Sequence, residues 1–112
     1  MRESLEERLF GNDIIKCLIN LADIDLLIAF NDNHLIELCT VENKRYIPLF
    51  TALDQLSGLN YTKIDSVKLE TVIKDIYSLG YYHAIAINPF TTDFIMNEKL
   101  IKIFFVINKY KL

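Results

Sequence analysis

Between residues 26 and 50 the chain alternates short apolar runs with polar triplets that interrupt them. Residues 26–30, 34–41 and 45–50 are the runs, and Asn31-Asp32-Asn33 and Glu42-Asn43-Lys44 are the breaks. Runs of this length bounded by Asn and Asp, whose side chains bond their own backbone and which tolerate left-handed dihedrals, predict strands joined by hairpins. The stretch therefore reads as an antiparallel meander. Pro48 in the third run has no N–H to give to a ladder, so that strand must end near the proline or lie at a sheet edge.

On either side of the meander the apolar spacing changes from strand-like to helical. Leu5, Leu9, Ile14, Ile15, Leu18, Ile19 and Ala22 recur mostly at three- and four-residue steps, with Gly11-Asn12-Asp13 able to divide them, which predicts one interrupted amino-terminal helix or two. After the meander, Thr51 and Asp54 have the spacing of a reciprocal helix cap, and Gly58 closes a short helix. Residues 60–64 read as another short strand. Asp65 or Ser66 then caps a helix whose Leu69, Val72, Ile73 and Ile76 share one face, with Glu70 and Lys74 paired one turn apart and Gly80 at its end. Residues 83–88 form an apolar run short enough for a buried strand, ended by Pro89. Asn97 caps a last helix through about Tyr110, in which residues 100–107 are nearly continuously apolar. The fold class expected is α+β: a mainly antiparallel sheet of four to five strands packed with amino-terminal, middle and carboxyl-terminal helices, forming a single domain over residues 1–112.

The chain's 112 residues are 52% hydrophobic and 24% charged, a globular composition large enough to bury a core without a disulfide or a structural metal. Its 12 basic and 15 acidic residues give a net charge of -3, and the bases form no stripe, which argues against a nucleic-acid surface. The first residues are too charged for a signal peptide, and no apolar stretch reaches the roughly 18 residues of a membrane span. Cys17 and Cys39 lie in apolar segments without C-x-x-C spacing, as expected of small buried thiols in a reducing, cytoplasmic setting.

Tyr46-Ile47-Pro48-Leu49-Phe50-Thr51, then a helix beginning near Ser66, then Ile85-Ala86-Ile87-Asn88-Pro89-Phe90 leading into a final helix, is an order of elements that resembles the amino-terminal domain of the SseB family, the enhanced serine sensitivity proteins. Members carry a strand ending Pro-apolar-Phe-Thr and, some forty residues on, an apolar strand ending Asn-Pro; the likeness covers residues 26–100. It implies an α+β domain of bacterial type whose molecular activity is poorly defined even within the family, with no established catalytic residues to carry over. The second domain of larger members is not expected, because this chain ends soon after its last helix.

The Asn-Pro corner admits two readings. Each of its polar residues is a common turn former, so the corner is accounted for by turn chemistry alone. Alternatively Thr51, at the end of one strand, and Asn88, Pro89, Thr91, Thr92 and Asp93, at the end of another, converge into a binding loop for a ligand or a partner's peptide. The apolar last helix supplies a second candidate surface, Ile101, Phe104 and Phe105, which would serve as a protein interface, with a symmetric homodimer the commonest outcome, if no groove in the chain covers it. For catalysis, Cys17 or Cys39 could be paired with His34 or His83, but no motif surrounds either cysteine, and Asp32-x-His34 lacks a second ligand cluster for a metal. No catalytic, cofactor or metal site is therefore expected. The function expected is a non-enzymatic protein-binding module whose partner is another protein or a second copy, with neither nucleic acid nor membrane involved. One alternative is an immunity protein neutralising a secreted bacterial toxin, and another is an enzyme with an unrecognised site.

Overall fold

The computed structural model describes residues 13–108. Among the described residues, three α-helices and seven strands make an α+β fold, its strands divided between two sheets. Helix α1 (Ile14–Asp23) begins where Asp13 accepts hydrogen bonds from the Ile15 and Lys16 amides, so Asp13 caps the start of a helix. The turns of helix expected before Gly11 lie outside the described residues.

The meander is present with a changed allegiance. Strand β1 (Leu26–Asn31) pairs with β2 (His34–Leu35) through a two-residue turn in which Asp32 and Asn33 have φ of 49° and 67°. Both central residues are left-handed, the geometry whose twist suits a tight hairpin. The run 34–41 is not one strand, however. Its first part stays with β1, while β3 (Leu38–Cys39) crosses to pair with β4 (Arg45–Leu49) in the other sheet. The sheets are β2-β1-β5 and β3-β4-β6-β7, rather than a single sheet of four to five strands. They join at one point, where Leu27 and Phe50 exchange both backbone hydrogen bonds, 2.7 and 3.0 Å.

That junction explains the proline. The Arg45 and Leu49 carbonyls accept from the amides of His83 and Asn88, so the odd-numbered residues of β4 face one neighbour. Position 48 faces the opposite edge, between Tyr46 paired with β3 and Phe50 paired with β1. The missing donor falls in a gap in the ladder, so Pro48 can occupy an inner strand.

Past Phe50 a 3-10 turn at Leu53–Leu56 follows Ala52, which makes no side-chain cap; the capping box expected of Thr51 and Asp54 does not form. Strand β5 (Lys63–Val67) pairs with β1 over five positions and runs through Asp65 and Ser66, so neither caps a helix. Pairing along β1 from Leu26 to Phe30 outweighs a local cap. Helix α2 (Leu69–Asp75) follows, with its Glu70–Lys74 pair at 2.6 Å, and Gly80 takes a left-handed φ of 86° after a second 3-10 turn. Strand β6 (Ala84–Ile87) is wholly buried and runs parallel to β4. Strand β7 (Phe94–Met96), for which the sequence reading has no element, pairs antiparallel with β6 and leads into α3 (Glu98–Asn108), where Asn97 accepts the Leu100 amide as expected.

Side chains alternate across extended backbone, so β4 and the residue that follows it divide between two cores. Ile47 and Leu49 of β4 join Ile85, Ile87 and Met96 beneath α1, α2 and α3, whereas Phe50, just past the strand, turns to a smaller cluster with Ala29 and Leu56. Ile101, Phe104 and Phe105 are 3%, 0% and 2% exposed. These three are core residues, which corrects the expectation of an open interface there: α3 lies on the sheet and α1, and only Val106, 76% exposed, projects from its apolar stretch. Among the described residues no helix is long and apolar enough to cross a membrane.

Candidate functional site

The parallel pairing of β4 with β6 sets their carboxyl ends side by side, at Leu49 and Ile87. Antiparallel partners would have put Thr51 and Asn88 at opposite ends of the sheet. Instead Asn88 accepts the Thr51 amide through Oδ1 at 3.0 Å and donates from Nδ2 to the Thr51 hydroxyl at 2.9 Å. Its own amide donates to the Leu49 carbonyl at 2.8 Å, and its carbonyl accepts from Thr91 and Asp93 at 3.1 and 2.8 Å. Asn88 is completely buried. A buried polar group is tolerated only when bonded, and this one meets its needs by closing a turn with its backbone and fastening two loops with its side chain.

A residue before proline is ordinarily extended, and the backbone at Asn88 departs from that. Asn88 has φ 50°, as does Asp93 at 51°, both in the region where Asn and Asp are better tolerated than other side-chain-bearing residues. A second tie runs from the Thr91 hydroxyl, which donates to Gln55, and the Phe50 and Phe90 rings lie 6.2 Å apart. Of the six residues expected in a binding loop, Thr51 and Asn88 are thus joined and serve the scaffold, Pro89 is half-buried, and Thr91, Thr92 and Asp93 are exposed. Two residues absent from that expectation stand out beside them: Leu53, 66% exposed, and Phe90, 50% exposed. Leu53 was hidden by the helix read over the segment after Thr51. The signal for Phe90 was its place directly after Asn-Pro, where a turn lifts a side chain out of the strand.

The other chemical candidates are dispersed. Cys17 is buried in α1, and burial pushes its thiol up to about 11, so it is not a thiolate at neutral pH. Cys39, expected to be buried, is exposed on β3. His83 accepts the Arg45 amide on Nδ1 at 3.1 Å, and among the described residues no group of three or more His, Cys, Asp and Glu is placed to hold a metal. A cleft of about 400 Å³ between α2 and α3 has an apolar floor of Ile73, Tyr77 and Ile101, and the lysines at its rim are paired with glutamates one turn away on their own helices.

At the opposite end of β4, Arg45 grips Glu37 with two bonds of 2.9 and 2.7 Å and lies over the Tyr82 ring. The Arg45 bonds, more than any other cause, hold the Glu37 carboxyl below its ordinary 4.5. Since the folded value is the lower one, this contribution is present above the unfolded carboxylate range and is lost as pH falls through the folded value. The pair is solvated and therefore screened, so its contribution is small. Glu37→Gln is therefore expected to lower stability slightly at neutral pH, a deficit that shrinks below about pH 4 when both proteins are unfolded by urea across a pH series. A deficit independent of pH would assign the loss to packing.

Compared with known proteins, the chain matches no family model, no curated protein and no solved structure.

Proposed function

We propose that this chain is a non-enzymatic binding module that engages a protein partner through the paired loops at the carboxyl ends of β4 and β6. The supporting observation is the buried Asn88, which ties together two loops that hold Leu53 and Phe90 in solvent. Large apolar side chains on a rigid, pre-ordered surface lower the entropy cost of binding, because little must be fixed on association. The resemblance to the SseB amino-terminal domain belongs to the same proposal. The two stretches that carry it, ending at Thr51 and at Asn88-Pro89, are the two that this bond joins.

Capture of partners from the native cell by tagged protein tests the reading. The double variant Leu53→Ser, Phe90→Ser is expected to lose a specific partner at least about tenfold while its melting temperature falls by no more than about 5 °C, since Leu53 faces water and Phe90 is half exposed beside Phe50. Val106→Ser, a control on the exposed side of α3, is expected to retain it. Loss with Val106→Ser alone would move the interface to α3. A captured toxin whose activity the protein suppresses would decide for the immunity alternative.

A further inference from the structure

We infer that the segment received at this corner is basic: a stretch of partner protein that places a lysine or arginine beside an apolar side chain. The inference rests on the binding reading above and adds the chemistry of the partner. The apolar pair is the starting point, because Leu53 and Phe90 are held in solvent by loops tied at Thr51–Asn88 and Gln55–Thr91. Each has a carboxylate near it in the chain, Asp54 directly after Leu53 and Asp93 three positions after Phe90. Both aspartates are exposed.

Charge in the two segments that form the corner is one-sided. The chain has no lysine or arginine from Tyr46 to Thr62, nor from Asp75 to Glu98. Among the described residues the ion pairs use Asp25, Glu37, Glu42, Asp65, Glu70 and Glu98, so Asp54 and Asp93 are left without a cation. Asp93 is also fixed, its amide bonded to the Asn88 carbonyl and its backbone left-handed. Unneutralised carboxylates beside exposed apolar groups complement a cation beside an apolar group, and they repel acidic segments and phosphate backbones.

The test titrates the isotope-labelled full chain with two capped hexapeptides, one alternating leucine with arginine and the other leucine with glutamate, followed by amide chemical shifts. Shifts at Leu53, Asp54, Phe90 and Asp93 are expected with the arginine peptide and not with the glutamate peptide. Asp54→Asn, Asp93→Asn is expected to weaken that binding about tenfold and to flatten its salt dependence. Equal response to both peptides, shifts confined to other surfaces, or unchanged affinity in the double asparagine variant would each overturn the inference. If neither peptide binds while Leu53→Ser, Phe90→Ser still loses its captured partner, the basic-partner inference falls and the binding reading stands. If that variant keeps every partner, the binding reading falls as well.

Discussion

Replacing Asn88 with alanine is expected to remove about 3 kcal/mol of stability, a large share of the roughly 5–15 kcal/mol that holds a typical domain. Two costs combine. Alanine strands the Thr51 amide, which loses the Asn88 Oδ1 acceptor, and takes the donor from the Thr51 hydroxyl; a half-buried partner left unsatisfied costs about 2 kcal/mol. Alanine must also hold φ near 50°, which adds about 1 kcal/mol for a side chain that cannot bond its own backbone. Asn88→Gly separates the two, because glycine keeps the backbone and still loses the bonds, and it should recover about 1 kcal/mol relative to alanine. Urea unfolding of the three proteins at constant m-value measures both terms. An alanine variant within about 1 kcal/mol of the parent would show that the corner is not held by this side chain.

The second large effect lies in the helix. Phe104→Ala is expected to cost about 3–5 kcal/mol, because the ring is fully buried, sits edge-on to Phe105 at 5.5 Å, and leaves a cavity that packed neighbours fill only in part. Two residues along, Val106→Ala should stay within about 0.5 kcal/mol, since Val106 projects into water. Thermal unfolding of both variants reads the orientation of α3 directly. A costly Val106→Ala beside a mild Phe104→Ala would mean that α3 presents the opposite face to the sheet.

How far local pattern reaches is visible in these two places. The continuous apolar run at residues 100–107 could not reveal which side faces the sheet, because a periodicity argument needs polar positions to mark the outer face and this run has few. The structure resolves it by placing α1 against α3, with Asn108 donating to the Leu18 carbonyl at 3.3 Å. Residues 34–41 show the same limit: one apolar run serves two sheets, and nothing within it marks the crossing. Thr51 was legible as the end of a strand and as one side of a corner shared with Asn88, but the helix cap also read there was the local alternative to a bond with a residue 37 positions away.

What the sequence by itself determined is the set of elements whose causes are local. Asp32-Asn33 makes a hairpin because both residues accept left-handed dihedrals; Asn97 starts α3 and Glu70–Lys74 pairs across one turn because their partners are three and four residues away. The α+β class follows from the same short-range signals. Only the tertiary structure decided that β4 and β6 run parallel, that the strands divide between two sheets, and that Asn88 meets Thr51. Those choices depend on which surfaces bury each other, a competition among distant segments whose local patterns are alike. The corner therefore becomes a candidate site only in the fold, where two turns with ordinary chemistry are set side by side.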